Sequence, residues 1–132
     1  MTQAFDAFSP HCPSRSVVDD VTDRWPALVL VALLEGPRRF AETARIVGGI
    51  SDRMLSRTLT TLTTDGLIVR TDHGERHVEY ELSPVGRPVA LALKGLVAAV
   101  YAAMPEILQA RASAQSRSTQ APSAQAPSTP SH

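Results

Sequence analysis

A mostly α-helical fold carrying one small β-hairpin is what these 132 residues predict, and three observations carry the prediction. Apolar residues recur at helical spacing in four stretches before Gly66 and in one long stretch after Pro84. Between residues 67 and 82 the repeat shortens to two. Glycine and proline punctuate the joins, at Gly36-Pro37, Gly48-Gly49, Gly66 and Ser83-Pro84.

The first helix is expected over residues 14–23, with Ser14 or Ser16 as cap and Val17, Val18 and Val21 on one side. A second and more apolar helix covers residues 25–35. It tolerates Pro26 in its first turn, ends at Gly36-Pro37 and has the composition of a central core element. Phe40, Ala44 and Val47 mark a third helix that Gly48-Gly49 stops. Ser51 then caps a fourth, with Asp52 placed to suit the helix dipole, and the segment runs to Asp65 before Gly66 ends it. Two short helices joined by a small glycine turn form a helix-turn-helix signature. Residues 67–71 and 78–82 are the two strands, turning through Asp72-His73-Gly74-Glu75, and a long helix covers residues 85–111. Pro105 is expected to kink or break that helix.

The organisation is therefore one domain over residues 11–112, with a flexible arm at 1–10 that contains Phe5 and Phe8. Residues 113–132 lack Val, Ile, Leu, Phe, Tyr and Trp, and read as a disordered tail. The apolar run at residues 26–34 is too short for a bilayer, which needs about 20 apolar residues, so no membrane partner is expected. The single cysteine excludes an internal disulfide, and with no secretory leader pattern the simplest location is the cytoplasm.

Overall charge is balanced at 13 basic and 13 acidic residues, so only local distribution can point to nucleic acid. Residues 38–57 hold five arginines against Glu42 and Asp52. On a helical wheel of about 100° per residue, Leu55, Leu59 and Leu62 of the fourth helix form an inward stripe, with Arg53, Arg57, Thr60 and Thr64 opposite. Taken alone such a face is an ordinary solvated surface. Following two helices and preceding a hairpin, it is a helix that enters a DNA major groove, where arginine reads guanine and hydroxyls reach phosphates or base edges. The expected DNA contacts are Arg38, Arg39, Ser51, Arg53, Met54, Ser56, Arg57, Thr60 and Thr61, joined from the hairpin by His73 and Arg76. For the hairpin histidines, the competing reading is that of exposed loop residues.

Several motifs together resemble the HxlR-type family: Cys12-Pro13, Arg24-Trp25, residues 28–34, Gly36-Pro37-Arg38-Arg39-Phe40, Gly49-Ile50-Ser51, Leu55, Leu59 and Leu62, Asp65-Gly66-Leu67-Ile68, and residues 78–83. The likeness covers residues 11–108. Arg24-Trp25-Pro26 departs from the commoner Gly-Lys-Trp-Thr type of sequence, and Trp25 reads best as a core or interface anchor. The resemblance implies a bacterial winged helix-turn-helix regulator that binds double-stranded operator DNA as a homodimer, more often a repressor than an activator. It also implies residues 51–65 as recognition helix and Arg39 as a phosphate contact.

The apolar stripe of the long helix exceeds what one small core needs, so Val89, Leu93, Leu96, Val97, Val100, Met104 and Ile107 are expected at a homodimer interface. Cys12 lies just before the first helix, where backbone N–H groups and His11 or Arg15 would favour the thiolate. It is the candidate sensor of oxidants, quinones or aldehydes, against the alternative of a small buried residue. No enzyme is indicated, since paired carboxylates, a phosphate loop and a nucleophile motif are all missing. His73 and His77 with Glu75 or Glu79 are of ligating type, but an exposed hairpin offers weak preorganisation, so neither a metal nor a cofactor is expected. The alternative from another class is a winged helix used only for protein association, whose outward face should carry apolar anchors rather than arginine.

Overall fold

The computed structural model describes residues 4–125. Its elements are α1 (Pro13–Thr22), α2 (Arg24–Ala32) continued by a 3-10 turn (Leu33–Glu35), β1 (Arg38–Arg39), α3 (Phe40–Ile46), α4 (Asp52–Thr64), β2 (Ile68–Asp72), β3 (Val78–Leu82) and α5 (Gly86–Gln125). This is a winged helix-turn-helix: a helical core with a small antiparallel sheet of order β1-β3-β2. The chain divides into two units, Met1–Gly95 and Leu96–His132.

In the first unit, Val29, Leu30 and Leu33 meet Leu55, Leu59, Leu62 and Ile68 in one buried cluster, closed by Ala90 and Leu93 of α5. Trp25 packs against its edge as the sequence reading expects, with the Arg24 guanidinium 5.4 Å from the ring centroid. Pro26 lies in the first turn of α2, where its missing N–H would have had no helical partner.

Residues 78–82 form a strand as expected, and Val69 pairs with Glu81 and Arg70 with Tyr80 across the hairpin. The third strand is new. Arg38 and Arg39, expected at the mouth of a helix, pair with Tyr80 and Glu79 and make β3 the central strand. Gly66 ends α4 at φ +76, a left-handed conformation that costs glycine little. From there the Leu67 carbonyl accepts from the Ser83 N–H at 3.0 Å, and Ser83 Oγ donates to the Gly66 carbonyl at 2.7 Å, closing the base of the hairpin.

Two expectations at the termini change. Helix α5 is unbroken through Pro105 and continues to Gln125, so residues 113–125 are helical where a disordered tail was expected. The remainder of that tail, 126–132, and residues 1–3 of the arm lie outside the described residues. In the rest of the arm, turns tie the Ser9 N–H to the Asp6 carbonyl and the Cys12 N–H to the Ser9 carbonyl, while Phe5 and Phe8 stay exposed.

Val89 and Leu93, expected at a dimer interface, belong to the core of the first unit. In the second unit Leu96, Val100, Tyr101 and Leu108 are exposed, and Val97, Met104 and Ile107 are half-buried. The segment Gly86–Thr119 contains an 18-residue window of mean hydropathy 1.6, long and apolar enough by composition to cross a membrane, of which only 6% is buried. Residues 96–104 form an uninterrupted apolar run within it.

Candidate nucleic-acid interface

Helix α4 commits one face to the core and frees the other. Ser51 Oγ accepts from the Met54 N–H at 3.1 Å and satisfies one donor that the helix N-terminus leaves open. Leu55, Leu59 and Leu62 are 0, 2 and 0% exposed. On the opposite side Arg53, Ser56, Arg57 and Thr60 are exposed, and with half-buried Thr61 they line one shallow hollow. Met54 and Thr61 also border a second hollow, toward α1 and α2, lined by Asp20, Asp23, Trp25, Pro26 and Arg57.

The hairpin side supplies two more guanidinium groups. Arg39 is exposed at the start of α3, where its N–H donates to Glu42 Oε1 at 2.7 Å, and it lines a hollow with Arg76 of the wing tip. Arg76 follows Glu75, and both hold positive φ, at 64° and 52°. His73 is exposed with its Nε2 at 3.2 Å from Glu79 Oε1.

Arg38 does not join this set. Its Nε donates to the Ala32 carbonyl at 2.8 Å and its terminal nitrogen lies 3.2 Å from Glu35, so the side chain closes the C-terminal end of α2. Arg70, which the sequence reading missed, takes part instead: with Tyr80 it lines the groove between the sheet and Ser56, Thr60, Thr63 and Thr64 of α4. The period of two along β2 sets Arg70 on the same side of the strand as buried Ile68, two residues earlier.

At the C-terminal end of α4, Asp65 Oδ2 is buried without a hydrogen-bond partner among the described residues. Burial, reinforced by the neighbouring Asp20 carboxyl, pushes Asp65 up to about 6. Cys12 stands at the N-cap of α1, half-buried, with Sγ at 3.4 Å from the Asp6 nitrogen and 3.2 Å from Ser14 Oγ. The Asp6 N–H, then the Ser14 hydroxyl and N–H, lower the thiol below its ordinary value against the opposing effects of burial and the Asp6 charge. These groups replace the expected His11 and Arg15; the Arg15 guanidinium turns to the Phe8 carbonyl and to Asp19, at 3.3 and 3.6 Å.

The model of the HxlR-like helix-turn-helix matches residues 20–107. The chain belongs to that family. Over 106 residues it is 41% identical to the HTH-type transcriptional regulator YtfH of Escherichia coli, covering 79% of this chain and 84% of that one. Among solved structures, the transcriptional regulator YtfH of Salmonella typhimurium superposes with a TM-score of 0.76 at 37% identity, over 82% of this chain and 98% of that one. The reduced form of the regulator YodB from Bacillus subtilis gives 0.59 at 27% identity, over 67% and 90% of the two chains. The redox regulator HypR in its oxidised form gives 0.62 at 28%, over 69% and 96%. This HxlR-like chain is thus a transcriptional regulator of helix-turn-helix type, and the relatives it matches are regulators rather than enzymes.

Proposed function

We propose that the chain binds a specific double-stranded DNA operator as a homodimer and represses transcription from it in the cytoplasm, with Cys12 tuning the response. The observation that carries the reading is the division of α4 into a leucine face of at most 2% exposure and an opposite face presenting Arg53, Ser56, Arg57 and Thr60. Seated in a major groove, the two guanidinium groups near the helix N-terminus are matched to guanine O6 and N7, which accept two parallel hydrogen bonds. Arg39 and Arg76, with Arg70 behind them, suit the flanking phosphates, which position the protein without reading sequence.

Homodimerisation is supported by Leu96 and Val100, exposed on one helix and continued by half-buried Val97, Met104 and Ile107 at spacings of three and four. A second copy of the same stripe buries them, and two-fold symmetry then sets two recognition helices on half-sites one or two helical turns apart. For Cys12, support comes from the lowered thiol pKa and from the structural likeness to YodB, also solved in quinone-bound form, and to HypR, solved reduced and oxidised. With one cysteine per chain, oxidation leads to an intersubunit Cys12–Cys12 bond or to a small-thiol adduct, while quinones and aldehydes react at Sγ directly.

A gel-shift titration against DNA upstream of the chain's own gene tests the reading. A sequence-selective shift that weakens steeply with salt is expected, as displaced counterions return to the phosphates. No shift even at low salt would favour a winged helix used for protein association alone.

A further inference from the structure

The wing tip holds a side-chain cluster built on His73, one of the expected DNA contacts, and on two neighbours that are not. The His73 N–H donates to the His77 carbonyl at 2.7 Å, so the two residues face each other across the turn. Glu79 lies two residues beyond His77, on β3. The result is a carboxylate with one oxygen 3.2 Å from His73 Nε2 and the other 3.3 Å from His77 Nε2. The imidazole centroids are 4.9 Å apart, and a ligand atom from each of the three residues lies within 4.8 Å of the others.

We propose that His73, His77 and Glu79 bind a zinc-class divalent cation. Zinc bonds of about 2.0–2.1 Å in tetrahedral geometry space their ligand atoms by about 3.3 Å; each imidazole nitrogen lies that far from its own carboxylate oxygen, and small side-chain rotations within the 4.8 Å cluster bring three donors onto one ion. His77 Nε2 and His73 Nε2 both lean on the Glu79 carboxylate, which their contacts hold below the usual carboxylate range, so the charged form needed for a ligand is favoured. Two imidazoles and one carboxylate favour zinc over magnesium or calcium, which prefer all-oxygen shells, and leave the fourth position to water.

The turn is more ordered than an exposed hairpin need be. Asp72 Oδ1 accepts from the Gly74 N–H at 2.9 Å, and the Gly74 carbonyl accepts from the His77 N–H at 2.8 Å. That order supplies the preorganisation the sequence did not reveal.

The test titrates the full chain, kept reduced and free of DNA, with Zn²⁺ by calorimetry and with Co²⁺ by visible absorption, so its outcome does not depend on the DNA-binding reading. One ion per chain is expected, with the intense visible bands of tetrahedral cobalt, and Cys12→Ser should bind equally well. His77→Ala and Glu79→Gln should each weaken binding by at least about ten-fold, since even outer-shell changes cost that much. Glu79→Gln preserves size and shape and guards against a folding defect in the histidine variant. Absence of saturable binding, or equal affinity in both wing variants, would overturn the proposal.

Discussion

Gly86 offers a sharp test of how the wing is joined to the long helix. A methyl group built there would stand 1.9 Å from the Leu67 carbonyl oxygen and 2.8 Å from its carbon, both backbone atoms that no side-chain rotation can clear. Gly86→Ala therefore requires a relative shift of about 1 Å between the start of α5 and β2. That shift strains the bonds that close the hairpin base: Ser83 N–H to Leu67 carbonyl at 3.0 Å, Ser83 Oγ to Gly66 carbonyl at 2.7 Å, and Gly86 N–H to Ser83 Oγ at 2.9 Å. With 1–3 kcal/mol for overpacking and about 1 kcal/mol in all for bonds that are lengthened rather than broken, the expected destabilisation is about 2–4 kcal/mol. Gly95→Ala is the control, because among the described residues nothing beyond its chain neighbours and its own helix backbone lies within 4 Å of the new methyl group, and the position is helical. It should stabilise the chain by about 0.5–1 kcal/mol through helix propensity alone. Urea unfolding at one fixed protein concentration measures both, which removes any dependence of apparent stability on self-association. A loss below about 0.5 kcal/mol for Gly86→Ala would show that the close approach of α5 to β2 is not real.

Three further outcomes follow from the same geometry. Ser51→Ala removes the acceptor for the Met54 N–H and should cost about 1 kcal/mol in urea unfolding. Asp65 titrates near 6 in the folded chain, above its unfolded value, so the folded state holds the extra proton and loses stability as pH rises from about 4 through 6. Asp65→Asn should consequently raise stability at pH 7.5 by on the order of 1 kcal/mol, allowing for partial solvent screening, and by much less below about pH 4. Placing Glu at Leu96 and Val100 forfeits about 1.5–3 kcal/mol of apolar burial per site and should shift sedimentation from dimer to monomer without lowering helicity, whereas an unchanged dimer would remove the stripe from the interface.

The elements that local chemistry specifies were readable in the residues. A capping serine followed by leucines at spacings of four and three locates α4, and alternation through residues 78–82 locates β3 without error. What escaped depends on partners distant in sequence. Arg38 and Arg39 are too short a run to signal a strand, and only pairing with Tyr80 and Glu79 makes them one. The same folding directs the Arg38 guanidinium to the Ala32 carbonyl, whereas a count of local charge treats every arginine as outward. Arg70 was passed over because a strand's alternation gives two faces without saying which one meets α4. At the other end, residues 112–125 are mainly Ala, Ser and Gln and offer no core side chains, yet α5 continues through them past Arg111. The Cys12 environment was right in kind and wrong in detail, because the polar neighbours of Sγ include Asp6, brought back by the turns at Ser9 and Cys12.

The account rests on the outward face of α4, and quantitative binding by Arg53→Ala and Arg57→Ala to the mapped operator tests it most directly. Each exposed guanidinium that reads a guanine should cost about 1–3 kcal/mol of discrimination when removed. The prediction is loss of preference for operator over scrambled duplex in both variants, with the dimer mass unchanged in sedimentation. Full operator preference in both variants would contradict it.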